Sequence, residues 1–505
     1  MTRDIAFITK FFREILNTNS VFLLTPFMII TSRYKSQYNA FRILSGVVKM
    51  QVDTKSSVKS PIVHVGLDDT DSTQGKCTTH AAYRITQYLL DNEYTEFVDY
   101  PLLIRLNPNI PWKTRGNGAV CLRFRTADHE DVLDRIMDLV HKENLVASGA
   151  NPGIAVYCGE SIPYSIQCFA RKALYDVVSS KKAKELATRH QIRFFIDGNG
   201  QGLVGSMAAI GTLLREDHTF EAVAYRNQEK CGTVRKLDSA QVVQYDAETF
   251  PYTFNNYDKE HHRVLILPHG PDPVFCGIRG ESAKIVCTAL RKLQISEKLE
   301  GYMVFRTNQG TNQHLQNEMG LADIKCYTAG FSQCKVDSRP MVIEGGHAMF
   351  SVRDAIGSVV NAAVYEPTDL VKIASKLEVG DIIKIGFGVR KPSSKHLRIL
   401  NVEYLQVLEA KEIFETVNPL CLTCKKRMKS EGTNKGFRCR KCGVRSSRDA
   451  KKIVISRPRV VVTGLFVPTP RAHRHLTKPV HRYGMEKNLE STPVITLWPT
   501  WFSKL

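Results

Sequence analysis

The chain has 505 residues, 43% of them apolar and 9% aromatic, with 70 Lys and Arg against 50 Asp and Glu and a net charge of +20. This length allows about three or four domains, and the apolar content excludes a disordered scaffold. The charge points to a polyanionic partner, nucleic acid first, while thirteen cysteines, an odd number, exclude a simple disulfide framework and suit a reducing compartment, so a cytoplasmic protein is expected.

Residues 1–60 read as an N-terminal extension ending in the polar linker Gln51 to Ser60. Its apolar run, Ser20 to Thr31, is twelve residues long and holds Pro26, short of the roughly 20 residues that span a bilayer. Lys10 and Arg13 before that run loosely copy a signal peptide, but no small-residue cleavage site follows. Met50 can itself serve as a start, so no chemistry is assigned to this segment. No membrane partner is expected.

Residues 61–180 alternate strand patterns at 62–67 and 119–125 with helical patterns at 79–91 and 128–142, which predicts an α/β unit. A second such unit is expected over 181–324, with a helix near Lys181 to His190, a strand at Arg193 to Ile196, a glycine-rich turn and a helical run from Val204 to Leu214. Over 325–412 short strands separated by Gly and Pro suggest a small barrel. A cysteine cluster occupies 413–450, and 451–505 is a basic C-terminal segment with strand-like runs at 452–467.

The first unit carries the most chemistry. An apolar strand runs from Ile62 directly into Asp68, Asp69, Thr70 and Asp71. Three carboxylates at a strand end repel one another unless a divalent cation neutralises them, and Mg2+ shares its shell with phosphate oxygens. Thr78 and Thr79 follow after Gly75, and a hydroxyl facing a metal-bound phosphate can position or accept it. The plain alternative is an Asp-rich surface turn.

Cys421-x2-Cys424 and Cys439-x2-Cys442, separated by fourteen residues, have the spacing of two knuckles around a tetrahedral structural Zn2+. From 421 to 484 there are eighteen Lys and Arg against Glu431 and Asp449, an imbalance best explained by phosphate contact beside an OB-type barrel. The turn Gly198 to Gly202 lacks a dinucleotide fingerprint and reads as a tight turn opening a helix. His261, His262, His473 and His475 read as ordinary polar residues, and Trp112 as packing beside Lys113 rather than stacking on a base.

Taken together these motifs resemble the archaeal isoleucine-tRNA-specific 2-agmatinylcytidine synthetases. The likeness rests on Gly66 to Ser72 (GLDDTDS), Cys77-Thr78-Thr79, Arg105 to Ala119 (RLNPNIPWKTRGNGA), Asn151 to Ile154, and Gly198 to Gly205 with Ala208 and Ala209. It continues through Ala224-Tyr225-Arg226, Pro268 to Pro273, Gly277 to Glu281, Arg306 to Thr311, Glu344 to His347, Tyr365 to Thr368, the four cysteines and His473 to Pro479. It spans roughly residues 61–484.

The resemblance implies a multidomain α/β and α+β architecture: a kinase-like ATP and Mg2+ domain (61–180), a ferredoxin-like domain (181–324), an OB-fold (325–412) and a zinc ribbon (413–450). It implies a ligase that uses ATP to attach agmatine to carbon 2 of the wobble cytidine in CAU-anticodon isoleucine tRNA, so that the base pairs with A. Asp68, Asp69, Thr70 and Asp71 would hold Mg2+ and the triphosphate, with Lys113, Arg115 and Asn117 beside them, and Thr78 would itself take phosphate. Asp197, Glu221 and Asp272 are candidates for the agmatine guanidinium. The target base must leave its stack to reach such a site, while the barrel and zinc ribbon grip the tRNA elsewhere. Two rival classes stand beside this: a Mg2+-dependent phosphotransferase without an amine pocket, and a non-catalytic RNA-binding protein.

Overall fold

In the computed structural model the described residues are 60–71, 77–91, 95–113, 116–127, 130–142, 150–392, 398–459, 461, 463–488 and 495–505. The N-terminal extension up to residue 59 and Arg115 lie outside them.

The apolar run after Pro61 forms β1 (Ile62–Asp68), whose five central residues are buried. Helix α1 (Thr78–Leu90) follows, then β2 (Thr95–Phe97), β3 (Leu102–Arg105), β4 (Gly118–Thr126), α2 (Val132–Lys142) and β5 (Gly153–Cys158). Next come α3 (Tyr164–Tyr175), α4 (Ser180–Arg189), β6 (Arg193–Ile196) and α5 (Gly202–Gly211). These build half of a large sheet, in the order β6-β5-β1-β4-β3. Side chains alternate across it: Leu103 joins one core with α1, whereas Leu102 and Ile104 join another with α3, α4 and α5. The boundary expected at residue 180 therefore falls inside this half, since β6 pairs with β5 and α5 lies across β1.

Helix α5 touches the strands backbone to backbone. A Cβ on Gly66 would lie 2.2 Å from the Ser206 carbonyl oxygen, and one on Gly153 only 1.9 Å from the Gly202 carbonyl carbon. Glycine is required where main chains approach this closely.

The second half contains β7 (Thr219–Arg226), α6 (Ser239–Thr249), β8 (Thr253–Phe254), β9 (Tyr257–Asp258), β10 (Arg263–Val264), β11 (Val274–Gly280), α7 (Ala283–Lys292) and β12 (Leu299–Thr307). Its sheet order is β12-β7-β11-β8, all antiparallel. The halves join through one parallel pairing, β3 with β12. One apolar core runs under both.

Beyond it, β13 (Ala329–Val336), β14 (Met341–Val342), β15 (Ala348–Arg353), β16 (Val359–Val364), α8 (Val371–Ala374), β17 (Ile382–Arg390) and β18 (Ile399–Glu409) form a closed five-strand barrel with β14 as an appendage. The circuit runs β13-β17-β18-β16-β15 and back to β13, with β16 and β18 parallel. A ribbon of β19 (Ile413–Val417) leads to the cysteine module, which holds β20 (Lys429–Ser430) and β21 (Phe437–Arg438), and β22 (Ile453–Arg457) leads back. Strand β23 (Gly464–Phe466) joins the barrel on β18, and the chain then crosses to the large sheet. There Arg482, fully buried, is paired with Asp217 and Glu281, as a buried cation must be. Strand β24 (Phe502–Lys504) pairs with β12. Among the described residues no helix is long and apolar enough to cross a membrane.

Candidate active site

Strand β1, an inner strand between β4 and β5, ends in Asp68, and Asp69 and Asp71 follow just beyond it. Asp69 takes a left-handed φ of 52°, which breaks the strand and lets neighbouring carboxylates serve two clefts. Asp68 and Asp69 line the first, Asp71 the second. Burial, reinforced by the charges of Asp69 and Asp71, holds the Asp68 carboxyl well above its ordinary range. Asp69 is pushed up to about 6, again chiefly by burial, with the Asn151 hydrogen bond opposing and the Asp71 charge adding. Asp69 Oδ1 is buried with no hydrogen-bond partner among the described residues. Crowded, partly unsatisfied carboxylates of this kind fit a hard divalent cation.

Helix α5 backs onto the same group. A Cβ on Gly205 would lie 1.8 Å from Asp68 Oδ2, so the first turn of this helix, the electropositive end of its dipole, is pressed against the carboxylate. The glycine-rich turn that opens the helix has positive φ at Gly198 and Gly200, and Asn151 Oδ1 accepts a hydrogen bond from Asn199 N at 3.2 Å. Asn151 thus ties that turn to Asp69.

At the start of α1, Asp71 Oδ1 accepts from the Thr78 main-chain N at 2.8 Å and from Thr78 Oγ1 at 3.2 Å, while Thr70 Oγ1 donates to Thr78 Oγ1 at 3.1 Å. Asp71 thereby caps the helix and fixes the hydroxyl. Tyr225 OH, from the second half, donates to the Thr79 carbonyl at 2.9 Å.

The first cleft, about 330 Å3, is also lined by Lys113, Asn117, Asn199, Gln201 and an apolar wall that includes Ile110 and Trp112. Trp112 is 47% exposed and stands edge-on to Tyr327. The second, about 480 Å3, lies between the two halves of the sheet and brings Asp71, Thr78, Glu221, Asp272, Arg279 and His475 together. It opens into a basic groove of about 610 Å3 lined by Lys113, Arg263, Arg471 and Arg474, with no carboxylate among its described lining residues. Burial and the neighbouring Arg474 charge lower the Lys113 pKa.

Of the three acidic candidates, Glu221 and Asp272 line the second cleft. Each already meets a cation, Arg279 at 3.1 Å and Arg235 at 3.2 Å. Asp197 lines neither cleft and accepts from Gly198 N. The sequence offered no site role for Arg105 and Arg279, and His475, read there as an ordinary polar residue, lines the second cleft with them. The available signal was a lone cation at the end of one otherwise apolar strand, β3, and next to the end of another, β11.

The cysteine module is separate. The sulfur atoms of Cys421, Cys424, Cys439 and Cys442 lie within 4.8 Å of one another, with Cys421–Cys442 at 3.4 Å and Cys424–Cys439 at 3.2 Å. The two knuckles are alike. Lys425 N donates to Cys421 O and Gly443 N to Cys439 O, and both donors have positive φ. Four converging thiols fit a tetrahedral zinc with every position filled by protein.

Three family models match the chain: the TiaS TCKD domain over residues 64–198, the TiaS FLD domain over 200–314 and the TiaS C-terminal zinc ribbon domain over 418–461. The isoleucine-tRNA 2-agmatinylcytidine synthetase TiaS of Cenarchaeum symbiosum is 40% identical over 428 residues, covering 85% of this chain and 94% of that protein. Among solved structures, apo TiaS superposes with a TM-score of 0.75 at 33% identity, covering 83% of this chain and 97% of that one. A complex of TiaS with its isoleucine tRNA, AMPCPP and agmatine gives 0.72 at 31%, with 84% and 97% covered.

Proposed function

This chain belongs to the TiaS family of isoleucine-tRNA 2-agmatinylcytidine synthetases, and from that premise we infer that it attaches agmatine to carbon 2 of the wobble cytidine of CAU-anticodon isoleucine tRNA at the expense of ATP. It is a ligase whose partners are ATP, agmatine and that tRNA. These substrates fit a cytoplasmic enzyme.

The observation that carries this reading is the joining of Asp71 and Thr78 in one hydrogen-bonded set, where β1 meets α1, with Asp68 and Asp69 in the adjoining cleft. A pyrimidine carbonyl oxygen is a poor leaving group. Phosphorylation converts it into one, and the agmatine amine then displaces phosphate. Mg2+ bound by Asp68, Asp69 and Asp71, with Thr70 beside them, would neutralise the triphosphate and screen the charge of the transferring group. Lys113, Arg115 and Asn117 are assigned to the nucleotide. Asp71, which accepts a hydrogen bond from the Thr78 hydroxyl at 3.2 Å, would take its proton when that oxygen receives phosphate. Glu221 and Asp272, the two acidic candidates that line the second cleft, are assigned to agmatine's guanidinium.

The architecture supports finer assignments. The second half has the βαββαβ order and the 4-1-3-2 strand arrangement of a ferredoxin-like domain. The barrel's 1-2-3-5-4-1 circuit with a short helix after its third strand is that of an OB-fold. The first half is read as the kinase-like domain.

The test is mass spectrometry of the wobble nucleoside after incubation with ATP, Mg2+, agmatine and the tRNA. The expected result is a gain equal to agmatine minus water, absent in Asp69→Ala and Thr78→Ala. Consumption of ATP with unmodified cytidine would instead mark a different phosphotransferase.

A further inference from the structure

Two cations and an imidazole meet at the mouth of the second cleft from three distant parts of the chain: Arg105 at the end of β3, Arg279 on β11 and His475 on the return from the barrel. The Arg105 guanidinium donates to no described acceptor, and its Nε is buried without a partner. The residue facing it is Gly116. A Cβ there would lie 2.6 Å from Arg105 Nη1 and 2.7 Å from His475 Nε2, so the missing side chain lets both nitrogens stand side by side against the Gly116 main chain in the wall of the cleft.

The imidazole is neutral, because burial and the charges of Arg105, Arg279 and Lys113 drive its pKa far down. Two groups compete for its Nδ1. Arg279 Nη2 stands at 3.0 Å and can only donate; Gln309 Oε1 stands at 2.9 Å and can only accept. The charged donor makes the stronger bond, which leaves Nδ1 unprotonated and puts the proton on Nε2. Arg105 and His475 Nε2–H then stand together in the cleft wall, the Arg105 guanidinium without a described acceptor, and an anionic oxygen in the cleft supplies one.

We propose that Arg105, Arg279 and His475 form an oxyanion subsite that receives the phosphate leaving carbon 2 of the activated cytidine when the agmatine amine attacks. The inference rests on the synthetase reading above. In this step the amine lone pair forms the N–C2 bond while the C2–O bond breaks, its electron pair going to the phosphate oxygen. The proton lost by nitrogen matches the one phosphate takes to depart as hydrogen phosphate. Donors fixed in place stabilise charge as it develops on that oxygen. The adjoining groove, free of carboxylates in its described lining, is an exit that does not repel the product.

The experiment separates the two chemical steps. The full-length chain is loaded with tRNA, Mg2+ and ATP labelled in the γ-phosphate, without agmatine, and agmatine is then added while label in the RNA is followed. In Arg105→Ala and His475→Ala the label is expected to form as in the parent but to be displaced at least about 100-fold more slowly, at the lower edge of what removal of one oxyanion donor costs. His475→Gln, whose amide N–H reaches the Nε2 position, should restore displacement, and the shorter His475→Asn should not. If an alanine variant melts early, the Gln and Asn pair alone decides. Displacement at the parent rate, or equal slowing of labelling and displacement, overturns the subsite. A parent that labels no RNA overturns the synthetase reading and the subsite with it.

Discussion

At the scale of single residues, the buried histidines set how this protein meets acid. His64 is lowered to about 3 by burial, with the Arg123 charge adding, and His218 and His473 to about 4, again chiefly by burial. Each is neutral when folded and protonates near 6.5 when unfolded, so below that pH the unfolded chain binds more protons. Stability is therefore expected to be full above pH 6.5 and to fall as pH drops toward 4. Urea midpoints across this range test it, and His218→Gln should flatten the slope. The residues that sequence could and could not reveal divide along the same physical line. Asp68, Asp69 and Asp71 stood out because adjacent carboxylates at a strand end are costly wherever they occur. His475 did not, because a histidine in a polar motif looks the same whether it faces solvent or a cleft shared with Arg105.

At the scale of elements, α5 is positioned by what its neighbours lack. Gly153 lies opposite Asp68 in the β1–β5 register, and its Cα faces the Gly202 main chain. Gly153→Ala should overpack this contact and cost about 1–3 kcal/mol, read from denaturant unfolding, with loss of modification because Asp68 moves too. The zinc module is the opposite case, an element whose own core is only Cys421, Met428, Phe437 and Cys439. Without metal such a module does not hold its fold. Chelation should remove its structure and weaken tRNA binding, most at low salt, where its phosphate contacts contribute most, while ATP binding persists; circular dichroism and filter binding report the two. The helix and strand patterns were legible over α1, α5, β1 and β4 because their periodicities are local. The placement of β6 was not, since edge pairing depends on a partner strand some forty residues away.

At the scale of the whole molecule, the last eleven residues hold the two halves of the sheet together. Trp501 is 7% exposed and packs on Phe97 and Tyr100 of the first half. Its carbonyl accepts from Val304 N at 2.8 Å, and Tyr83 OH of α1 donates to the Ser503 carbonyl at 3.3 Å. Trp501→Ala should cost about 3–5 kcal/mol, as for other buried aromatic truncations, and should slow modification more than it weakens tRNA binding, because α1 carries Thr78 over the interface. Denaturant unfolding and single-turnover kinetics check the two effects. The sequence by itself determined the four cysteine ligands, the strand that ends in carboxylates, the closed barrel and the excess positive charge, because spacing, periodicity and composition are properties of the chain alone. Only the tertiary structure decided that Asp71 and Thr78 share a cleft with Glu221, Arg279 and His475, because those groups are carried by separate strands and a returning tail, brought together by the β3–β12 pairing and the buried Arg482 pairs.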